Sequence, residues 1–241
     1  MSEFDFIKTY LAPLAGPEGL GLLDDAARLS PPAGCDLVLT KDTMVEGVHF
    51  PHGSYGADTA ERLIRTNLSD LAAKGAEPLG YFLSLAWPDH LDIDGFMSAG
   101  RNFAAGLEAI QDRFGLTLWG GDTVKTSGPF VATATLIGQV RTGRMSKRSG
   151  AQYGHDVWVS GTIGDAYLSL ENYLGNFGQD GPDPEALRKW DKAYWRPVPR
   201  LNMADLLVDA ASASVDISDG LIADIGHIAR ASHVRMNVRL N

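Results

Sequence analysis

Three times along the chain a short apolar run of β type breaks off at an acid. Leu37-Val38-Leu39-Thr40 leads to Asp42 and on through Glu46-Gly47-Val48-His49-Phe50. Leu116-Thr117-Leu118-Trp119 runs into Gly120-Gly121-Asp122-Thr123, and Val215-Asp216-Ile217 into Ser218-Asp219-Gly220. Helical periodicity fills much of the space between: Ala60, Leu63, Ile64, Leu68, Leu71 and Ala72 recur at three- and four-residue spacings, and Phe96, Phe103, Leu107, Ile110 and Phe114 form a second stripe. Such a mixture of periods two and 3.6 defines a mixed α/β fold. Strand ends are where α/β scaffolds display ligand-binding groups, which makes Asp42 the first candidate for a functional carboxylate. Taken alone, it reads first as a turn residue.

The remaining elements follow from the same rules. A helix is expected over Glu3 to Ala12, a glycine-rich loop over Gly16 to Gly21, and helices over Asp58 to Lys74 and Asp92 to Phe114. Asn67 and Asp70 interrupt the apolar stripe of the first long helix and should point inward, where a carboxylate needs a metal, a base or N–H groups. The other reading makes Ser69-Asp70 a helix start with the acid in its first turn. Strands are expected at Tyr81 to Ala86 and Phe130 to Val140, and beyond a glycine- and serine-rich boundary at Thr142 to Gly154 also at Asp156 to Ser160, Val215 to Leu221 and His233 to Leu240. A helix should run to Ala211 and another from Leu221 to Ala231. The expected domains are therefore 1–142 and 143–241, the second reading as incomplete and the chain as clipped relative to its parent.

A formal net charge of −9 argues against binding nucleic-acid backbones, and no apolar run is long enough to span a bilayer. The N-terminus has no basic segment followed by an apolar block, so a cytoplasmic protein is expected. The single cysteine, Cys35, has no thiol partner for a disulfide or zinc site. What stands out is a scattered set of acids: Asp24, Asp25, Asp42, Asp70, Asp122, Asp216 and Asp219. Carboxylates without His or Cys partners suit a hard cation, and Mg²⁺ bound by a few carboxylates and substrate phosphates is the usual arrangement. Arg141, Arg144, Lys147 and Arg148 form the one basic cluster, either a solvated linker or a counter-charge for an ATP phosphate tail. Neither a Walker-type phosphate loop, a nucleophile elbow nor a protein-kinase signature is present.

Six segments occur in the order of a known family: Asp24-Asp25-Ala26-Ala27; Asp42 with Glu46-Gly47-Val48-His49-Phe50; Asn67-Leu68-Ser69-Asp70-Leu71-Ala72-Ala73 with Gly75-Ala76-Glu77-Pro78; Gly120-Gly121-Asp122-Thr123; Arg148-Ser149-Gly150-Ala151; and Asp216-Ile217-Ser218-Asp219-Gly220-Leu221. Collectively they resemble the thiamine-monophosphate kinases, relatives of aminoimidazole-ribonucleotide synthetase, selenophosphate synthetase and a hydrogenase maturation protein. The resemblance implies two α/β domains, with four N-terminal strands entering a barrel shared across a homodimer. It implies phosphorylation of thiamine monophosphate by ATP with several Mg²⁺ ions and no phosphoenzyme. By that resemblance Asp25, Thr40, Asp42, Asp70, Asp122, Asp216 and Asp219 hold metal, with Asp42, Asp70 and Asp122 at the catalytic centre. Gly121, Asp122, Arg148 and Ser218 contact ATP, and His49 the thiamine phosphate. The chain departs from the family at Leu23, where glycine is usual, and at Lys41, a metal-contacting position usually Thr or Ser. A sibling ATP-using synthetase and an inactive nucleotide- or metal-binding relative are the rival readings; Cys35 lacks the basic neighbour a reactive thiol would need.

Overall fold

The computed structural model describes residues 3–178 and 181–238. The helix α1 (Glu3–Phe6) passes directly into a π turn, Ile7–Leu11, and a 3-10 turn, Ala12–Leu14. There follow β1 (Cys35–Val45), α2 (Ala57–Ala73), β2 (Glu77–Pro88), α3 (Ile93–Phe114), β3 (Thr117–Thr126) and β4 (Val131–Arg141). The second part contributes α4 (Asp165–Tyr173), α5 (Pro184–Trp195), α6 (Ala204–Ala210) and α7 (Leu221–Ser232).

The strands form one open sheet in the order β1-β4-β2-β3. β4 runs antiparallel to both β1 and β2, while β2 and β3, joined through α3, are parallel. Residues facing each other across the ladders share a sheet face, so one row reads Asp42, Ala134, Leu83 and Gly121, and the next Thr43, Thr133, Ser84 and Asp122. The first row belongs to the face covered by helices: Ala134 and Leu83 are buried, as are Val38 and Met44 to either side of Asp42 on β1. The other face is open, with Leu39 64% and Val124 49% exposed.

α2 and α3 pack beside each other on the covered face. Trp87 lies at the centre, stacked on Phe130 with ring centroids 4.4 Å apart and met edge-on by Phe6, Phe96 and Phe103. Phe6, Trp87, Phe103 and Phe130 are essentially inaccessible, and burial of each such ring stabilises the fold by about 2–3 kcal/mol. The ends of α3 are set locally. Asp92 Oδ1 accepts from Gly95 N at 2.8 Å, and Gly115 closes the helix in the left-handed region at φ 68°.

The pairing of β2 with β3 contains an irregularity. Tyr81 faces Leu118 and Phe82 faces Gly120, leaving Trp119 as an extra residue on β3. Trp119 is buried, and its ring lies so close to Gly80 that a Cβ there would fall 2.2 Å from it.

Expected strand ends and observed ones differ. β1 continues through Asp42 to Val45, and β3 continues through Asp122 to Thr126, because β4 and β2 supply ladder partners beyond both acids. Of the expected strands Asp156 to Ser160 and Val215 to Leu221, neither pairs in a sheet among the described residues, Ser218 and Asp219 being bends and Leu221 the start of α7; nor does the described part of His233 to Leu240, where His233 is left-handed at φ 55° and residues 239 and 240 lie outside the described residues. A strand needs a neighbour for its N–H and C=O groups, and here Ser214 N donates to Lys147 O with no ladder beyond it. Trp158 is accordingly 89% exposed. The expected helices at Leu221 and up to Ala211 are present as α7 and α6, and α5, absent from the sequence reading, is capped by Asp183 and started by Pro184. α5 places Tyr194 and Trp195 in the same apolar core as the sheet.

Candidate functional site

The alternation of β1 puts Thr40 and Asp42 on the helix-covered face and Lys41 on the open one. On α2, Thr66, Ser69 and Asp70 lie on the turns facing β1. Thr40 Oγ1 donates to Asp70 Oδ2 at 2.6 Å, the Thr66 hydroxyl, which donates to Leu63 O at 3.0 Å, lies beside the Asp42 carboxylate, and Ser69 lies beside that of Asp216. Three acids from a strand, a helix and the loop before α7 thus converge. The burial predicted for Asn67 is complete; its amide donates to Leu63 O at 2.9 Å, while its Oδ1 is buried without a protein partner.

The electrostatics of this cluster are those of excess negative charge. Burial, and then the Asp70 charge, raise the Asp42 carboxyl above the usual range, against hydrogen bonding from Thr66 and the nearby His49. Burial, then Asp70, push Asp216 up to about 6. One ammonium partly offsets the acids. Lys74, at the C-terminus of α2, donates to Ser214 O at 3.1 Å; burial and the Arg148 charge lower its affinity for a proton, against attraction by Asp216 and Asp70. The donors the cluster offers to a ligand, the Asp42, Asp70 and Asp216 carboxylates and the Thr40 hydroxyl, are hard oxygens carrying more negative charge than Lys74 offsets. This donor set fits Mg²⁺.

A raised carboxyl pKa means that the folded protein holds more protons than the unfolded chain between the two values. Stability contributed by Asp216 should therefore be present below about pH 4 and lost as pH rises through about 6. We expect the melting temperature of metal-free wild type, relative to Asp216→Asn, to fall across that window, and added Mg²⁺ to flatten the difference. A difference independent of pH would show that Asp216 is not strained by its neighbours.

His49 stands at the turn that ends β1. Its Nδ1 accepts from Val45 N at 3.1 Å, and its carbonyl accepts from Tyr194 OH on α5 at 2.6 Å. Acceptance at Nδ1 leaves the ring proton on Nε2.

Other expected site residues lie elsewhere. Asp122 and Lys41 project from the open face of the sheet, and Asp122 sits on the opposite edge strand from Asp42. Gly121 is required by the neighbouring strand: a Cβ there would lie 1.8 Å from Leu83 O. Asp25 is exposed in a bend, where its N–H donates to Asp24 Oδ1 at 2.8 Å. Arg148 is exposed and near enough to Lys74 to lower its pKa. Ser218 and Asp219 lie in a loop organised by a residue that the sequence reading missed. Asp224, buried in the first turn of α7, accepts at Oδ2 from Ser218, Asp219 and Gly220 N–H groups at 2.9, 3.1 and 3.2 Å. Its signal was an acid in a helix first turn. Asp219, Asp224 and His227 also offer ligand atoms within 4.8 Å of one another, although His227 Nδ1 lies 3.0 Å from the Arg230 guanidinium.

Residues 23–140 match the family described as AIR synthase related protein, N-terminal domain. The thiamine-monophosphate kinase of Caulobacter vibrioides is 46% identical over 99% of this chain and 66% of its own length. That of Haemophilus influenzae is 35% identical, covering 100% of this chain and 71% of its own. The chain belongs to the thiamine-monophosphate kinase family. Among solved structures, AaThiL complexed with AMPPCP and TMP superposes with a TM-score of 0.74 at 31% identity, covering 87% of this chain and 64% of that one. The chain thus spans about two thirds of the length of the kinases it matches. Membership in the thiamine-monophosphate kinase family accounts for the mixed α/β architecture, with the sheet open within a single chain.

Proposed function

We propose that this chain carries out ATP-dependent phosphorylation of thiamine monophosphate to thiamine diphosphate. The observation that carries the reading is the convergence of Asp42, Asp70 and Asp216 beside His49. Family membership and the AMPPCP and TMP bound by AaThiL support it. In this reading the three carboxylates, with the Thr40 hydroxyl, hold Mg²⁺. Bound there, Mg²⁺ neutralises charge on the phosphates of ATP.

The residues of the chain supply orientation. An oxygen of the thiamine phosphate attacks the γ-phosphorus, a new P–O bond forms, and the bond to the β,γ-bridging oxygen breaks to release ADP. The attacking oxygen is already ionised, so no side chain has to remove a proton. His49 Nε2–H donates to the acceptor phosphate and holds it in register. Arg148 and Ser218 face the nucleotide phosphates, with Lys74 as an inner cation that keeps the acid cluster from being over-charged. Gly121 shares the helix-covered face but lies on the opposite edge strand, and Asp122 and the Lys41 ammonium are on the open face, so none of the three belongs to this cluster; Asp25 and Asp219 are assigned to further metal contacts by family resemblance alone.

Domains of 1–142 and 143–241, a cytoplasmic location and a homodimer complete the proposal. No helix among the described residues is long and apolar enough to cross a membrane. The open face, with Leu39, Phe82 and Val124 exposed, is the surface a second copy would cover, and sedimentation at micromolar concentration reads this directly. Incubation with ATP, Mg²⁺ and thiamine monophosphate should yield ADP and thiamine diphosphate in equal amounts. ADP without thiamine diphosphate would point to a sibling reaction, and neither product to an inactive relative.

A further inference from the structure

Glu46 is an acid in the core, 6% exposed. Among the described residues the basic side chain paired with it is the exposed His52 ring, 3.4 Å away. The rest of its demand is met by donors of the chain. Oε1 accepts from Gly53 N at 2.8 Å and from Tyr55 OH at 2.9 Å, and Oε2 accepts from Phe130 N at 2.9 Å. The backbone repeats the tie, since Glu46 N donates to Phe130 O at 2.9 Å. Burial alone would push this carboxyl up, but the bonds from Phe130, Gly53 and Tyr55 outweigh it and hold it below the usual range. A carboxylate so placed is the hub of the loop from Glu46 to Tyr55.

That loop carries His49. Gly47 N donates to Phe50 O at 2.8 Å and His49 N to Val45 O at 2.8 Å, which turns the chain tightly enough for the His49 ring to fold back on Val45 N. Tyr194 grips the His49 carbonyl from the other side. Two anchors therefore fix the loop, one under it and one over it.

We infer that Glu46 is a positioning residue: by gathering Gly53, Tyr55 and Phe130 it holds the His49 loop so that Nδ1 is occupied by Val45 N and Nε2–H is presented to the substrate phosphate. The phosphate contact of His49 rests on the proposed function; the hold of Glu46 on the ring does not. The carboxylate is needed because all its protein partners are donors. A glutamine of the same shape would turn an N–H toward Phe130 N, or toward Gly53 N and Tyr55 OH, and one side of the tie would open.

The test is Glu46→Gln, alone and with His49→Ala, in the full chain. We expect KM for thiamine monophosphate to rise on the order of tenfold with KM for ATP unchanged, as when a group that orients a ligand-binding residue is removed. In the His49→Ala background the same change should add less than about twofold, because residues acting as a unit are non-additive. Imidazole ¹⁵N correlation spectra should show one Nε2–H tautomer for His49 in wild type and a mixture in Glu46→Gln. Tyr55→Phe, which removes one donor and keeps the carboxylate, should shift KM the same way by about two- to threefold and carries the test if Glu46→Gln does not fold. A full tenfold effect persisting without His49, or an unchanged tautomer in the variants, would overturn the inference. A wild type that makes no thiamine diphosphate would refute the proposed function, and the tautomer would still decide the role of Glu46.

Discussion

Asparagine in place of Asp42 should lower kcat on the order of 10²-fold and leave the protein folded. The side chain is half-buried between Thr66 and the Asp70 carboxylate, and its own charge is disfavoured there by burial and by Asp70. Neutralising it keeps the shape of the side chain while relieving repulsion. The metal-free variant should therefore melt as high as wild type or higher. The loss appears only when cation and nucleotide are bound, since a preorganised charge facing the transferring phosphoryl group is worth about 3 kcal/mol. Differential scanning fluorimetry with and without Mg-ATP separates the two effects: wild type gains stability from the ligand and Asp42→Asn gains less. Turnover close to normal would remove Asp42 from the site, and a variant that failed to fold would make it structural.

Phe130→Ala is expected to have the largest effect on stability, a loss of about 3–5 kcal/mol, or roughly a 10 °C drop in melting temperature for a chain of this size. The ring is wholly inaccessible, stacks on Trp87 at 4.4 Å, and is met edge-on by Phe103 and Tyr55 at 5.7 and 5.6 Å. Removing it opens a void under several aromatic rings at once, and the sheet and α3 cannot both close on the gap. The Phe130 N–H bond to Glu46 remains, so the variant should keep its substrate preference at temperatures where it is folded. A loss below about 1 kcal/mol by urea titration would mean that the cluster repacks.

The helices were legible because their apolar stripes are regular. Leu63, Leu68 and Leu71 on α2, and Phe103, Leu107 and Ile110 on α3, are all buried. Strand lengths were less so. Lys41-Asp42-Thr43 and Gly120-Gly121-Asp122 look like the ends of apolar runs, yet β4 and β2 pair with them and keep them extended. Conversely, Asp156 to Ser160 and Val215 to Leu221 have strand composition but no ladder partner among the described residues, so composition alone misled. At the site, burial of Asn67 was readable from its place in the stripe. The meeting of Asp42 and Asp70 with Asp216 was not, because nothing local links positions so far apart in the chain. Family resemblance supplied their grouping, and it also supplied Asp122, which the register puts on the other side of the sheet. Glu46 and Asp224 escaped functional assignment because each acts on backbone N–H groups that no side-chain pattern reveals.

The side on which Asp122 emerges is decided by a single residue of chain length. Were Trp119 paired in step after Tyr81 and Leu118, Asp122 would stand opposite Leu85 and point into the helix-covered layer instead of opposite Ser84. The extra residue works as a parity bit for everything downstream on β3, and Gly80 is what lets it be written, because its missing side chain leaves the space the Trp119 ring takes up. A change at Gly80, on a different strand from Asp122, would thus act on the address of an acid as well as on packing.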